Sequence, residues 1–105
     1  MDMATIEING VSIDVNDEGY FLDSSQWTKE IAAEIAKKEN INLTDKHFQV
    51  LTFLRERYQK GETLTIRSVG KSGIVDIKQF YELFPGGPLK MSSKIAGIPK
   101  PASCV

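Results

Sequence analysis

The sequence is poor in the residues that build metal and redox sites. One Cys and one His occur among 105 residues. A single Cys excludes an internal disulfide framework and a four-cysteine metal centre. A single His excludes the two-His zinc set. An excess of charge is lacking too: 13 Lys and Arg against 14 Asp and Glu leave a net charge of −1. That balance argues against bulk binding to DNA, RNA or an anionic membrane, because such binders displace counterions with a basic footprint. No apolar run approaches the about 18 residues of a membrane span. Met1 to Asn9 have neither the basic start nor the apolar stretch of a signal peptide. These absences lead us to expect a protein of the reducing cytoplasm, with no metal and no cofactor.

What is present suffices for one small domain, since 41% of the residues are hydrophobic. Asn9-Gly10 is a strong hairpin signal, because a type I′ turn needs positive φ at both central residues. Ile6 and Ile8 alternate with polar residues before it, and Val11, Ile13 and Val15 after it. A hairpin over residues 5–15 pairs Ile8 with Val11 and Ile6 with Ile13, with all five apolar residues on one face. Asp23, Ser24 and Ser25 are competent N-caps. They open a predicted helix over about 24–39, with Trp27, Ile31 and Ile35 at four-residue spacing. Thr44 or Asp45 opens a second, 45–60, with Arg55, Arg57 and Lys60 near the end, where the helix dipole favours cations. A short helix over 65–70 and one over 76–84 follow. The last carries Ile77, Phe80, Tyr81 and Phe84 as an apparent core stripe, and Pro85-Gly86-Gly87-Pro88 stops it.

From Leu89 onward Ser, Lys, Gly and Pro dominate. The reading is a globular domain over 1–88, and a flexible C-terminal arm over 89–105 with at most one helical turn near Ser92 to Ala96. The fold class is mainly α (α+β): an N-terminal β-hairpin on a small helical bundle with a helix-turn-helix-like core.

Cys104 rides on that arm. It could be a small buried residue, an incidental exposed thiol, or a functional one. The sixteen residues from Leu89 to Cys104 span on the order of 50 Å if extended, enough to enter a partner's site. The neighbouring C-terminal carboxylate raises the thiol's pKa, and Lys94 and Lys100 oppose it, so no strongly activated nucleophile is expected. Arg67 follows Leu64-Thr65-Ile66 and is either a plain surface residue or a holder of a carboxylate or anionic sulfur species from the arm. His47 reads as a helix-surface residue, and Glu30, Glu34, Lys37 and Lys38 as a solvated face. The two helices around Gly70 to Gly73 invite comparison with DNA-reading motifs. Residues 75–84, however, hold one base, Lys78, against Asp76 and Glu82, so direct DNA binding is not expected.

The stretches Leu83-Phe84-Pro85-Gly86-Gly87-Pro88 and Lys94-Ile95-Ala96-Gly97-Ile98-Pro99-Lys100-Pro101, with the ending Cys104-Val105, resemble the C-terminal signature of the DsrC/TusE family. That family holds the gamma subunit of dissimilatory sulfite reductase and a sulfur-relay protein. Gly19-Tyr20, Trp27 and Thr65-Ile66-Arg67 also fall where the family has similar residues. The resemblance implies a sulfur carrier, not an autonomous enzyme, with Cys104 accepting sulfur as a persulfide and handing it on. It implies Arg67, Tyr81, Lys94 and Lys100 as arm-docking or partner-binding residues, and a free protein that is monomeric. The implied partners are a sulfurtransferase donor and, as acceptor, a tRNA-thiolating enzyme or sulfite reductase. Two features depart from the sulfite-reductase gamma pattern or divide the family. Ser93 stands where the gamma subunits carry a second Cys, which leaves the one-cysteine arrangement of the relay protein. The stretch from Ser68 to Gln79 is compact, as in the sulfite-reductase class. Phe48 replaces a more usual Trp.

Overall fold

The computed structural model describes residues 3–101. Strands β1 (Met3–Ile8) and β2 (Val11–Asn16) form the expected hairpin, with Ile8 opposite Val11 and Ile6 opposite Ile13. Asn9 and Gly10 both take positive φ, 52° and 79°, as the tight turn demands. Ile8, Ile13 and Val15 are buried, but Val11 is 45% exposed. Its cross-strand partner Ile8 takes the core side at the tip and leaves Val11 half in solvent.

The first predicted helix is broken in two. A 3₁₀ turn, Ser24–Gln26, is capped by Asp23, whose carboxylate accepts from the Ser25 amide at 3.0 Å and the Ser25 hydroxyl at 2.6 Å. Those two bonds, the hydroxyl one foremost, hold the carboxyl below its ordinary pKa of 3.8. Trp27 is extended, and Thr28 caps a fresh helix, α1 (Lys29–Lys38), by accepting from the Ile31 amide at 3.2 Å. Asn40 ends it with φ of 62°.

Helix α2 (Asp45–Gln59) begins at the Thr44 cap, and α3 (Ile66–Gly70) at Thr65. In α4 (Ile77–Leu83), Asp76 and Gln79 cap each other's amides at 2.8 and 3.2 Å. Each boundary agrees with the sequence expectation within a residue or so. Two details do not. His47, expected on a surface, is 6% exposed, and its role is structural. Nε2 donates to the Leu83 carbonyl at 2.9 Å, which leaves Nδ1 to accept from the Thr44 amide at 3.1 Å and to pair with its hydroxyl at 2.8 Å. The second concerns the α4 stripe. Phe80 and Phe84 are fully buried, whereas Ile77 and Tyr81 are 46% and 49% exposed.

The largest correction is at the C-terminal side. Leu89 does not begin an arm. Pro88 starts a helix, α5 (Pro88–Ile95), as the first helical residue, where its missing N–H costs no bond. Leu89, Ser92, Ser93, Ile95, Ala96 and Ile98 are all buried, within one core that also holds Ile13, Val15, Phe21, Leu51, Leu54, Phe80 and Phe84. The packed body therefore runs at least to Ile98.

Candidate functional site: the seat of the C-terminal segment

Cys104 lies outside the described residues, so the site visible in the structure is the seat of the chain that leads to it. Side chains from the N-terminal half and from α2 build that seat around the end of α5. Trp27 Nε1 donates to the Ile95 carbonyl at 2.8 Å. Arg55, from the middle of α2, lays its guanidinium over the Trp27 ring at 4.3 Å. The same guanidinium donates to the Ala96 carbonyl at 2.9 Å and to the Ser24 carbonyl at 3.1 Å. Burial lowers the Arg55 pKa, since desolvation disfavours its charged form. The Ile95 and Ala96 carbonyls belong to the last residue of α5 and its cap, which have no partner within the helix.

Gly97 makes this contact possible. Its φ is 68°. A Cβ there would lie 2.8 Å from both Cβ and Cγ of Trp27 and closer still to Cδ1, so the indole occupies the space that a side chain would need. Gly19, with φ of 89°, plays the same part for Lys94, whose Cε would sit 2.9 Å from an added Cβ. Buried Tyr20 sends its hydroxyl to the Lys90 carbonyl at 3.4 Å.

Of the residues singled out from sequence, Lys94 and Lys100 meet on this side of the molecule. Lys94 pairs with Glu39 at 3.7 Å, and Lys100 with Glu18 at 3.0 Å. Both pairs are partly exposed, so each stabilises by at most about 1 kcal/mol. Arg67 and Tyr81 are exposed on α3 and α4. Among the described residues, no hydrogen bond or ion pair joins either to Lys94 or Lys100. Ser93 is fully buried, and its hydroxyl finds no hydrogen-bond partner among the described residues.

Arg55 and Gly97 were not foreseen as parts of a site. The only signals were a lone Trp in the sequence and an Arg in the C-terminal half of α2. Neither reveals a contact between positions 68 apart.

A hairpin laid on five helices, with the end of α5 held by Trp27 and Arg55, defines the class: a small α+β domain. The chain belongs to the DsrC-like protein family, whose model matches residues 7–105. It is 38% identical over 108 residues to a sulfurtransferase TusE homolog of Haemophilus influenzae, covering 95% of this chain and 99% of that one. The solution structure of DsrC from Allochromatium vinosum superposes with a TM-score of 0.84 at 36% identity, covering 99% of this chain and all of that one. The crystal structure of the oxidised gamma subunit of dissimilatory sulfite reductase (DsrC) from Archaeoglobus fulgidus gives 0.82 at 30% identity, covering 97% of this chain and all of that one.

Proposed function

We propose that the protein is a sulfur-relay carrier that holds sulfane sulfur as a persulfide on Cys104. The observation that carries this reading is the seat. In a member of this family, the chain is clamped at Ile95–Gly97 by a Trp, an Arg and a glycine cradle, and the sole Cys follows at position 104. The Cys104 thiolate attacks the outer sulfur of a donor persulfide. The donor's S–S bond breaks, its thiolate leaves, and a new S–S bond forms on Cys104. Delivery runs the same exchange in reverse on an acceptor thiol. No net oxidant is consumed, and a reducing cytoplasm suits the reaction. We assign activation of the thiol to the donor's or acceptor's site.

The test is intact mass after incubation with inorganic polysulfide. The wild type is expected to gain one sulfur atom that a small thiol removes, and Cys104→Ser to gain none. Stoichiometric uptake by Cys104→Ser sinks the proposal. A second reading, a gamma-type accessory subunit of sulfite reductase, is favoured by the short connection between α3 and α4 (residues 71–76) and by the likeness to solved gamma subunits. Stable co-purification with a dissimilatory sulfite reductase is the result that would select it.

A further inference from the structure

We propose that Asn9-Gly10, at the tip of the hairpin, is a site of covalent self-modification: the Gly10 amide nitrogen closes on the Asn9 carboxamide, and water then turns Asn9 into aspartate or isoaspartate. The proposal is independent of the carrier reading.

The reaction needs a carboxamide free to turn and a following amide free to attack it. Asn9 and Gly10 are both exposed. The strand ladder ends with Ile8 opposite Val11. Among the described residues, no hydrogen bond engages the Asn9 side chain or the Gly10 amide. Gly10 has no Cβ to stand between the two groups, and one built there would meet nothing within 4 Å, so no neighbour screens the tip. The turn that specifies the hairpin thus leaves both reactants uncovered.

The three other asparagines each lack one condition. Asn16 Oδ1 accepts from the Glu18 amide at 2.9 Å and the Tyr20 amide at 3.0 Å, which pins its carboxamide. The amide after Asn40 is already taken, since Ile41 donates to the Ala36 carbonyl at 2.8 Å. Asn42 precedes Leu43, whose side chain packs against the core and crowds the approach to its own amide.

The Gly10 nitrogen gives its proton to solvent base, and its electron pair forms a bond to Asn9 Cγ. The Cγ–Nδ2 bond breaks, and ammonia leaves with a proton returned by solvent. The succinimide then adds one water. Opening at Cγ gives aspartate. Opening at the backbone carbonyl carbon gives isoaspartate, with one more carbon in the main chain. Nothing is oxidised or reduced. Either product adds one negative charge to a net charge of −1. Aspartate tolerates the φ of 52° at position 9. Isoaspartate lengthens a two-residue turn and loosens the Ile8–Val11 pair. Ile6 opposite fully buried Ile13 keeps the strands in register, so the change stays at the tip.

The experiment holds the folded full chain in warm, mildly alkaline buffer and follows it by intact mass, peptide mapping and isoaspartate-specific methylation. The mass is expected to rise by one unit, the change from –NH2 to –OH. The gain should fall on Asn9 at least tenfold faster than on Asn16, Asn40 or Asn42, and within tenfold of its rate in urea-unfolded chain. Gly10→Ala puts a Cβ beside the attacking nitrogen and should slow the conversion at least tenfold. Conversion only after unfolding overturns the proposal, as does equal gain at the four asparagines or an unslowed Gly10→Ala. If that variant does not fold, the comparison of folded with unfolded wild type decides. Cys104→Ser should convert at the wild-type rate, so failure of the carrier reading leaves this result untouched.

Discussion

Helices α4 and α5 invert what their compositions announce. Helix α4 carries two apolar and two aromatic residues in its seven, yet Ile77 and Tyr81 stand 46% and 49% exposed. Helix α5 and the residues after it are built of Ser, Lys, Gly and Pro around a few aliphatics, yet Ser92, Ser93, Ile95, Ala96 and Ile98 are fully buried. The difference lies in what lies opposite. Helix α4 is short, and its Phe80 and Phe84 already fill the core side, with His47 against the Phe84 ring edge at 5.1 Å. Its outer face is covered only in part: Ile77 lies against Gly70 of α3, and Ile77 and Tyr81 both stay about half exposed. Helix α5 meets α1, α2 and the turn before Tyr20 at once, and its small residues let the backbones approach. Bulk states how much a residue gains by burial; neighbours decide whether it is buried.

The contrast can be broken from either side, and the largest effect should come from α5. Ile95→Ala deletes a fully buried side chain and should cost about 3 kcal/mol, read as a lower urea midpoint at unchanged slope. A cost under about 1 kcal/mol would mean that α5 is only loosely seated. Next is the anchor of α4. His47→Ala leaves the Leu83 carbonyl and the Thr44 amide without their partner and should cost about 2 kcal/mol, with amide exchange at Leu83 and Phe84 rising more than in α5. Ser93→Ala should go the other way. It removes a buried hydroxyl without a hydrogen-bond partner among the described residues and should raise stability by about 0.5–1 kcal/mol, with polysulfide uptake at Cys104 unchanged. Loss of stability there would show that the hydroxyl has a partner. The smallest effect belongs to the exposed face: Tyr81→Ala should stay within about 0.5 kcal/mol of wild type in thermal unfolding. A large cost would mean that the outer face of α4 is covered in solution.

Where a local rule sufficed, the sequence alone led to the right structure. Asn9-Gly10 set the hairpin and its register. Thr44, Thr65 and Asp76 set the starts of α2, α3 and α4, since a capping side chain bonds amides only a few residues away. Helix α5 was missed because Gly86-Gly87-Pro88 reads equally as a stop and as a start. Pro88 serves as the latter, and no local signal separates the two. Trp27 has helical spacing with Ile31 but obeys a distant carbonyl instead. Its place depends on Ile95, Gly97 and Arg55, which periodicity cannot see. The family was legible in the C-terminal signature, while the contacts that hold Ile95 to Gly97 were legible only in three dimensions.

The hydrogen bond between Trp27 and Ile95 spans 68 positions, and that between Tyr20 and Lys90 spans 70. Such distant pairs tie folding to the order of synthesis. The hairpin and α1 emerge first but have no finished core until Leu89 to Ile98 arrive to close it. Pairing ends so far apart slows folding relative to a bundle of local contacts, and the half-made chain must expose Phe21, Ile13 and Val15 meanwhile. The same arrangement orders events usefully. The segment that closes the core is the one that leads into Cys104, so a chain presenting a seated tail has already completed its fold.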